Sequence, residues 1–226
     1  INSVPTGQYR IQTMTKGIQT KQAVIERITE HIHCYGFSNT SLHDIIAISG
    51  VKKGNLYFHF KNKEALVLEV LQSAFNNHQQ YIAKHTSLYS NPIQKIFAML
   101  DAVFTYHAQR TFLGGCIFGN TAVEMADKNP AFKQFIADVF HQWTQWIAAQ
   151  LDTAKEQGLL ASHTPAQELS HTIVAALEGG IMLSKVSKNA SELNAVMTTI
   201  KNVLQLYATN KTNNKRKHNA NKTGHH

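Results

Sequence analysis

The chain has little cysteine, little proline and no long apolar run. Two cysteines, Cys34 and Cys116, stand among 226 residues. They give no disulfide framework and suit a reducing compartment. Of the four prolines, Pro92, Pro130 and Pro165 each sit where a helix is about to begin, a position at which a missing N–H costs little. No apolar stretch approaches the roughly 20 residues of a membrane-spanning helix. No apolar segment follows a basic start, so a secretory signal is not expected either. Strand-like alternation is nowhere sustained, which argues against a sheet. The P-loop, HExxH, GxSxG and dinucleotide strings are missing. The expectation is therefore an all-α cytoplasmic protein with no cofactor, no membrane contact and no metal.

Acidic residues are also few, 14 against 22 lysines and arginines, for a net charge of +8. The placement of that charge is more informative than its size. Residues 14–61 carry six basic and three acidic side chains, 62–208 carry ten and eleven, and 209–226 carry five and none. The positive field sits at the two ends. This is expected where one end meets phosphates and the middle does something else. Residues 1–13 are polar and aperiodic, and Met14 reads as a natural start. That stretch is expected to be a disordered leader or cloning-derived. The Asn-, Lys- and Thr-rich segment 209–226 is expected to be a disordered basic tail.

Between these ends the chain reads as helix. Val24, Ile25, Ile28, Ile32 and Tyr35 make one apolar face of a first helix that stops near Gly36. Ser41 with Asp44 has the spacing of a capping box. A short helix with Leu42, Ile45, Ile46 and Ile48 follows and breaks at Ser49-Gly50. Val51–Phe58 reads as a second short helix, and Asn62 caps the next. Further helices are expected at 63–85, 92–110, 117–127, 130–158, 165–187 and 190–207. Gly158 sits where a C-terminal cap belongs.

Two short helices around a Gly-containing turn, backed by a supporting helix, make a helix-turn-helix over 14–62. Ile45, Ile48, Val51 and Leu56 are expected to fix the angle of the pair. The second helix then offers Lys52, Lys53, Asn55 and Tyr57 to a major groove. The start of the first offers free N–H groups and the Thr40 or Ser41 hydroxyl to a phosphate. Taken singly, Lys52 or Lys53 is more simply a solvated residue; the whole pattern is what points to DNA. The string GVKKGNLYFHFKNKEAL resembles the TetR-family signature G-V-x-x-G-x-[LIF]-Y-x-[HY]-F-x-x-K-E-x-L. The upstream TSLHDI resembles that family's T-[ST]-x-x-[DE]-I, with Ser49 where Ala is usual. The resemblance implies phosphate contacts from Tyr57, His59 and Lys63, with Thr40 or Ser41 at the first helix and Gly54 inside the DNA-facing set. It also implies an all-α TetR-like fold, with 63–208 as an effector-binding and dimerisation domain.

The segment LGGCIFGNTAVEMADKNP places Cys116 between two glycines and a helix start. A helix N-terminus favours a thiolate, the form that attacks electrophiles. This segment resembles a TetR branch that includes N-ethylmaleimide-responsive repressors. The likeness implies a sensing role for Cys116 with Glu124 and Lys185, the Lys185 ammonium lowering the thiol pKa further. The plainer reading of Cys116 is a small residue packing a helix junction. A competing mechanism is a non-covalent pocket lined by Phe104, His107, Phe112, Phe118, Trp143, Glu178 and Met182. Each of these alone reads as ordinary core. Cys34, beside Tyr35, reads as core. His31 and His33, two apart on a helix, do not face the same way, so they make no metal pair.

The last two helices carry the stripes Leu169, Ile173, Ala176, Leu177, Gly180 and Leu193, Val196, Ile200, Val203, Leu204. They face either a partner in a four-helix dimer interface or the protomer's own core. A two-fold dimer sets recognition helices about 34–36 Å apart and implies a palindromic double-stranded operator. Two rival classes stay open on the sequence: a cysteine enzyme using Cys116, with His107 as its partner, and an architectural DNA-binding protein with no effector.

Overall fold

The computed structural model describes residues 16–209. The leader at 1–13 and the tail beyond Thr209 lie outside the described residues. Those described form nine helices and no strand beyond one bridge between Leu160 and Ala208. No helix among them is long and apolar enough to cross a membrane.

The first four helices are α1 (Lys16–Tyr35), α2 (Leu42–Ser49), α3 (Lys53–His59) and α4 (Lys63–Thr86). Gly36, at φ +80°, follows the end of α1. Ser41 and Asp44 form the reciprocal capping box: Ser41 Oγ accepts from the Asp44 N–H, and Asp44 accepts from the Ser41 N–H. Gly50, at φ +69°, ends α2 in the left-handed conformation that glycine adopts without strain. The Arg27 guanidinium donates to the Ser49 carbonyl at 2.6 Å, so a cation on α1 satisfies the C-terminal end of α2. The second short helix starts two residues later than the sequence suggested. Val51 and Lys52 form an extended link, and Lys52 is the N-cap with ψ 147°. Asn62 caps α4 by accepting from the Ala65 N–H.

The remaining helices are α5 (Pro92–Gln109), α6 (Ile117–Met125), α7 (Pro130–Glu156), α8 (Ala166–Ser187) and α9 (Ser191–Leu206). Pro92 and Pro130 occupy first-turn positions, each preceded by an asparagine cap. Gly158, at φ +63°, lies just past α7.

Two apolar cores result. Val24, Ile28 and Ile32 of α1 meet Ile45, Leu56 and the first half of α4, and this core runs on into Phe118 of α6 and Phe132 of α7. The second joins α5, the end of α7, α8 and α9 through Leu100, Leu151, Leu177, Leu193 and Leu204. Three expectations need correction. Tyr35 is 61% exposed: Ile32 and His33 of the last turn of α1 point inward, and Tyr35 lies on the solvent side. Ile48 is 37% exposed on the outer side of α2, so Ile45 and Leu56 hold the two short helices instead. Cys34 is half-buried, its thiol donating to Glu30 one turn earlier rather than filling core.

Leu56 carries the only fully buried side chain of α3. Leu56→Ala is expected to destabilise the protein by about 2–5 kcal/mol, read as a lowered urea midpoint. A loss below about 0.5 kcal/mol, the size of an ordinary surface change, would show that α3 is not anchored there.

Candidate functional site

The outer surface of α2 and α3 carries two exposed lysines among exposed hydrogen-bonding groups. Lys52, Lys53, Gly54 and Asn55 are exposed, Tyr57 is 44% exposed, and Ser41 and His43 are exposed at the start of α2. A Cβ at Gly54 would meet nothing within 4 Å, so the first turn of α3 is open to close approach. Phe58 also lies here at 82% exposure. Sequence reasoning passed over it, because an aromatic residue flanked by Tyr57 and Phe60 reads as core. His59 is half-buried beside Phe58 and Phe60.

Two residues expected on this face turn inward. Thr40 is fully buried, and its hydroxyl donates to the Gly36 carbonyl at 2.7 Å. The Lys63 ammonium donates to the carbonyls of Phe37 and Thr40, both at 2.9 Å, and lies 3.9 Å from the centre of the Phe37 ring. These two side chains shape the α1–α2 loop that presents Ser41, because the loop's carbonyls need donors where the chain reverses.

Behind this module a cavity of about 910 Å³ opens among α4, α5, α7 and α8. Its wall includes Thr29 and His33 of α1, so the cavity reaches the supporting helix of the DNA-binding module. Tyr106, Phe118, Trp143 and Trp146 supply aromatic wall. Among these apolar surfaces stand polar groups without protein partners: Nδ1 of His78, Nδ1 of His107 and Nε1 of Trp143. Burial lowers both histidines to a pKa of about 4, so they are neutral imidazoles near pH 7. Burial also raises the carboxyl of Glu178, which lines the cavity next to Cys116.

Cys116 is the N-cap of α6, its sulfur accepting from the Gly119 N–H at 3.4 Å. That helix-terminus contact favours a thiolate, but larger effects oppose it. Burial and then the Glu178 carboxylate push the thiol well above its ordinary pKa. This is opposite to the sequence expectation, which rested on the helix N-terminus with Lys185 adding to it. The Lys185 ammonium goes instead to Asn120 Oδ1 at 3.2 Å, while its stem lies against Gly115, whose φ is +70°. Glu124 is also elsewhere than expected. It sits near the far end of α6, accepting from the N–H groups of Phe37 at 2.9 Å and Ser38 at 2.6 Å. Cys116, Glu124 and Lys185 therefore do not form one sensing cluster.

The connection between cavity and module is polar and direct. His33 donates from Nε2 to the Gly115 carbonyl at 2.6 Å, and Arg110 at the end of α5 grips both oxygens of Glu30 at 2.6 and 2.7 Å. With the Glu124 bonds, these tie α1 and the α1–α2 loop to the α5–α6 region. Thr111 and Phe112, at φ +50° and +57°, are left-handed without being glycine, a strained geometry typical of functional loops.

The profile described as "Bacterial regulatory proteins, tetR family" matches residues 24–70. The profile "Tetracyclin repressor-like, C-terminal domain" matches 92–200. The chain belongs to the TetR family. It is thus a transcriptional regulator rather than an enzyme, and the cysteine-enzyme alternative falls. The HTH-type transcriptional repressor DhaR of Mycobacterium sp. (strain GP1) is 27% identical over 184 residues, covering 80% of this chain and 89% of DhaR. A TetR transcriptional regulator from Chloroflexus aurantiacus J-10-FL superposes with a TM-score of 0.81 at 27% identity, over 86% of this chain and 98% of that one. The reduced form of E. coli NemR has a TM-score of 0.74 at 18% identity, over 81% and 96% of the two chains, a likeness of fold.

Within this TetR-family cavity, His107, Phe118, Trp143 and Glu178 line the wall as the sequence suggested. Phe104 and Phe112 do not. They pack edge-to-face on each other in the second core. Met182 is 59% exposed on the outer side of α8 and also lies off the cavity. Residues that carry much of the cavity chemistry, His78 and Trp146, gave no sequence signal, being single polar or aromatic residues on otherwise mixed helix faces.

The two cavity histidines imply a pH signature. Their folded pKa values of about 4 lie below the ordinary 6.5, so the unfolded chain binds more protons between those values. Stability is expected to fall as pH is lowered through that window, with Glu178 opposing part of the loss. Urea midpoints measured from pH 7 to pH 4 check this, and His107→Gln should flatten the dependence. An unaltered slope in that variant removes His107 from the account.

Proposed function

We propose that this regulator is a repressor that binds a palindromic DNA site as a homodimer and leaves it when a small molecule occupies the cavity non-covalently. The observation that carries this reading is the reach of one cavity from the α8 wall at Glu178 to His33 on the supporting helix of the DNA-binding module. An occupant that displaces the Gly115–Cys116 corner acts on His33 through the Gly115 carbonyl. It also acts on the α1–α2 loop through α6 and Glu124. The effector shifts DNA affinity only as far as it distinguishes the two arrangements. Thiol modification is the less supported route, since the Cys116 pKa is raised rather than lowered.

Ser41, Lys52, Lys53, Gly54, Asn55, Tyr57, Phe58 and His59 make up the DNA-facing set. Lys52 and Lys53 supply the phosphate charge, and Asn55, Tyr57 and Phe58 are placed for base edges and thymine methyls. The basic tail adds to the non-specific attraction.

The dimer face differs from the stripes read in the sequence. Ile173, Leu177, Gly180, Leu193, Ile200 and Leu204 are buried within the protomer, and Leu169, Ala176, Val196 and Val203 are partly so. The outward stripe of α8 runs through Thr172, Ala175, Gly179, Met182, Leu183 and Val186. That of α9 runs through Ala195, Thr198, Thr199, Asn202 and Leu206. Both stripes lack charge, and Val186 and Leu206 are 79% and 83% exposed. A second copy burying this uncharged pair of stripes gives the four-helix interface.

Two measurements test the proposal on an operator obtained by selection from random duplex DNA. Lys53→Ala is expected to weaken binding to all sequences alike and to lower the slope of log K against log salt by about 1; an unchanged slope takes Lys53 off the phosphates. Val186→Glu is expected to yield folded monomer in sedimentation and to abolish cooperative operator binding. Dimer persisting in that variant at micromolar concentration rules out this face.

A further inference from the structure

We propose that the cavity's effector is a monocationic aromatic molecule whose protonated amine is seated against Glu178. This rests on the effector reading above and narrows it to a ligand class. The first support is the charge on the wall. Glu178 is partly buried there and faces the cavity beside the Cys116 thiol. Lys95, near the start of α5, is the one lysine on the cavity wall among the described residues, and it forms no ion pair with Glu178. His78 and His107 are neutral, so no resident cation balances this carboxylate. A buried carboxylate is stable when an opposite charge pairs with it, and a ligand ammonium supplies that charge.

The second support is steric. A Cβ at Gly119 would collide with Glu178 Oε2. The carboxylate thus lies directly over the first turn of α6, in the space that a side chain at residue 119 would occupy. The third support is the set of unpartnered groups in the same cavity. Nδ1 of a neutral His78 or His107 can accept an ammonium proton, and the Trp143 N–H can donate to a ligand oxygen or nitrogen. The rings of Tyr106, Phe118, Trp143 and Trp146 offer the faces that attract a cation and stack an aromatic body. An anion seated beside Glu178 faces a like charge.

The protein reports on its own cavity, because its only two tryptophans, Trp143 and Trp146, both line it. Three probes with one ring system suffice: 9-(aminomethyl)anthracene, 9-anthracenemethanol and 9-anthracenecarboxylate, titrated into the full-length protein at pH 7 while tryptophan quenching is followed. The amine is expected to bind about tenfold or more tighter than the alcohol, the range of a charge-assisted hydrogen bond, and the carboxylate weakest. Glu178→Gln is expected to erase the advantage of the amine over the alcohol. Equal binding of amine and alcohol, or tightest binding of the carboxylate, overturns the cation proposal and leaves the effector reading standing. So does an amine advantage that survives Glu178→Gln. Quenching by none of the three overturns both. The ranking in the unaltered protein needs no variant, so a Glu178→Gln protein that failed to fold would not remove the test.

Discussion

The carboxylate of Glu124 holds the two parts of this regulator in register. Its oxygens take the N–H groups of Phe37 and Ser38, two donors in a loop that otherwise has no helix to satisfy them. Lys63 takes the carbonyls of Phe37 and Thr40 from the opposite side. The α1–α2 loop is therefore held between an anion from α6 and a cation from α4. The orientation of α2 follows from that loop, and that of α3 follows from α2 through Ile45 and Leu56. A Cβ at Gly36 would lie 2.6 Å from Glu124 Oε2. The contact thus depends on glycine at the end of α1 as well as on the acid.

The same helix, α6, begins at the cavity and ends at this loop. From Cys116 to Glu124 is about 12 Å along the axis; on the effector reading proposed above, this short helix is the link that passes a displacement from the cavity to the loop. His33 and Arg110 restrain α1 against the same region, which limits the motions open to it. Coupling of the usual size, about 1–3 kcal/mol, needs only a change in a few such contacts between the bound and free arrangements. The left-handed Thr111 and Phe112 make the α5–α6 loop the place where that difference is most easily held.

How much of this was legible in the sequence depended on the range of the interactions involved. The capping box at Ser41 and Asp44, the break at Gly50 and the cap at Asn62 are local, so spacing alone located them to the residue. The all-α architecture and the order of the helices followed from periodicity in the same way. The inner and outer faces of α8 and α9 did not. Both helices carry two uncharged stripes, and periodicity cannot say which one meets the protomer's own α5 and α7. Only the tertiary packing decides it: Ile173, Leu177, Leu193 and Leu204 fill the interior, and Ala175, Met182, Val186, Thr198 and Leu206 are left outside. Lys63 and Glu124 were misplaced for a related reason: each is a polar residue whose partners are backbone groups brought close by the tertiary fold. Thr40 was misplaced because its hydroxyl turns back to the Gly36 carbonyl four residues earlier.

The chemistry of Cys116 shows how the environment overrides a local rule. A cysteine capping a helix has a lowered pKa when its thiolate faces solvent or a cation. Here the cysteine is partly buried on the cavity wall, burial and the Glu178 carboxylate raise its pKa, and the ammonium expected to help it is held by Asn120. Asn120 in turn donates to the Gly114 carbonyl at 2.7 Å, in the strained loop itself. Lys185 is thereby committed to holding the loop rather than to activating the thiol. The result is a thiol held toward its protonated form beside a Glu178 carboxyl that has no ion-pair partner among the described residues. The feature that looked most like a reactive thiol thus makes the neighbouring carboxyl the group in want of a counter-charge.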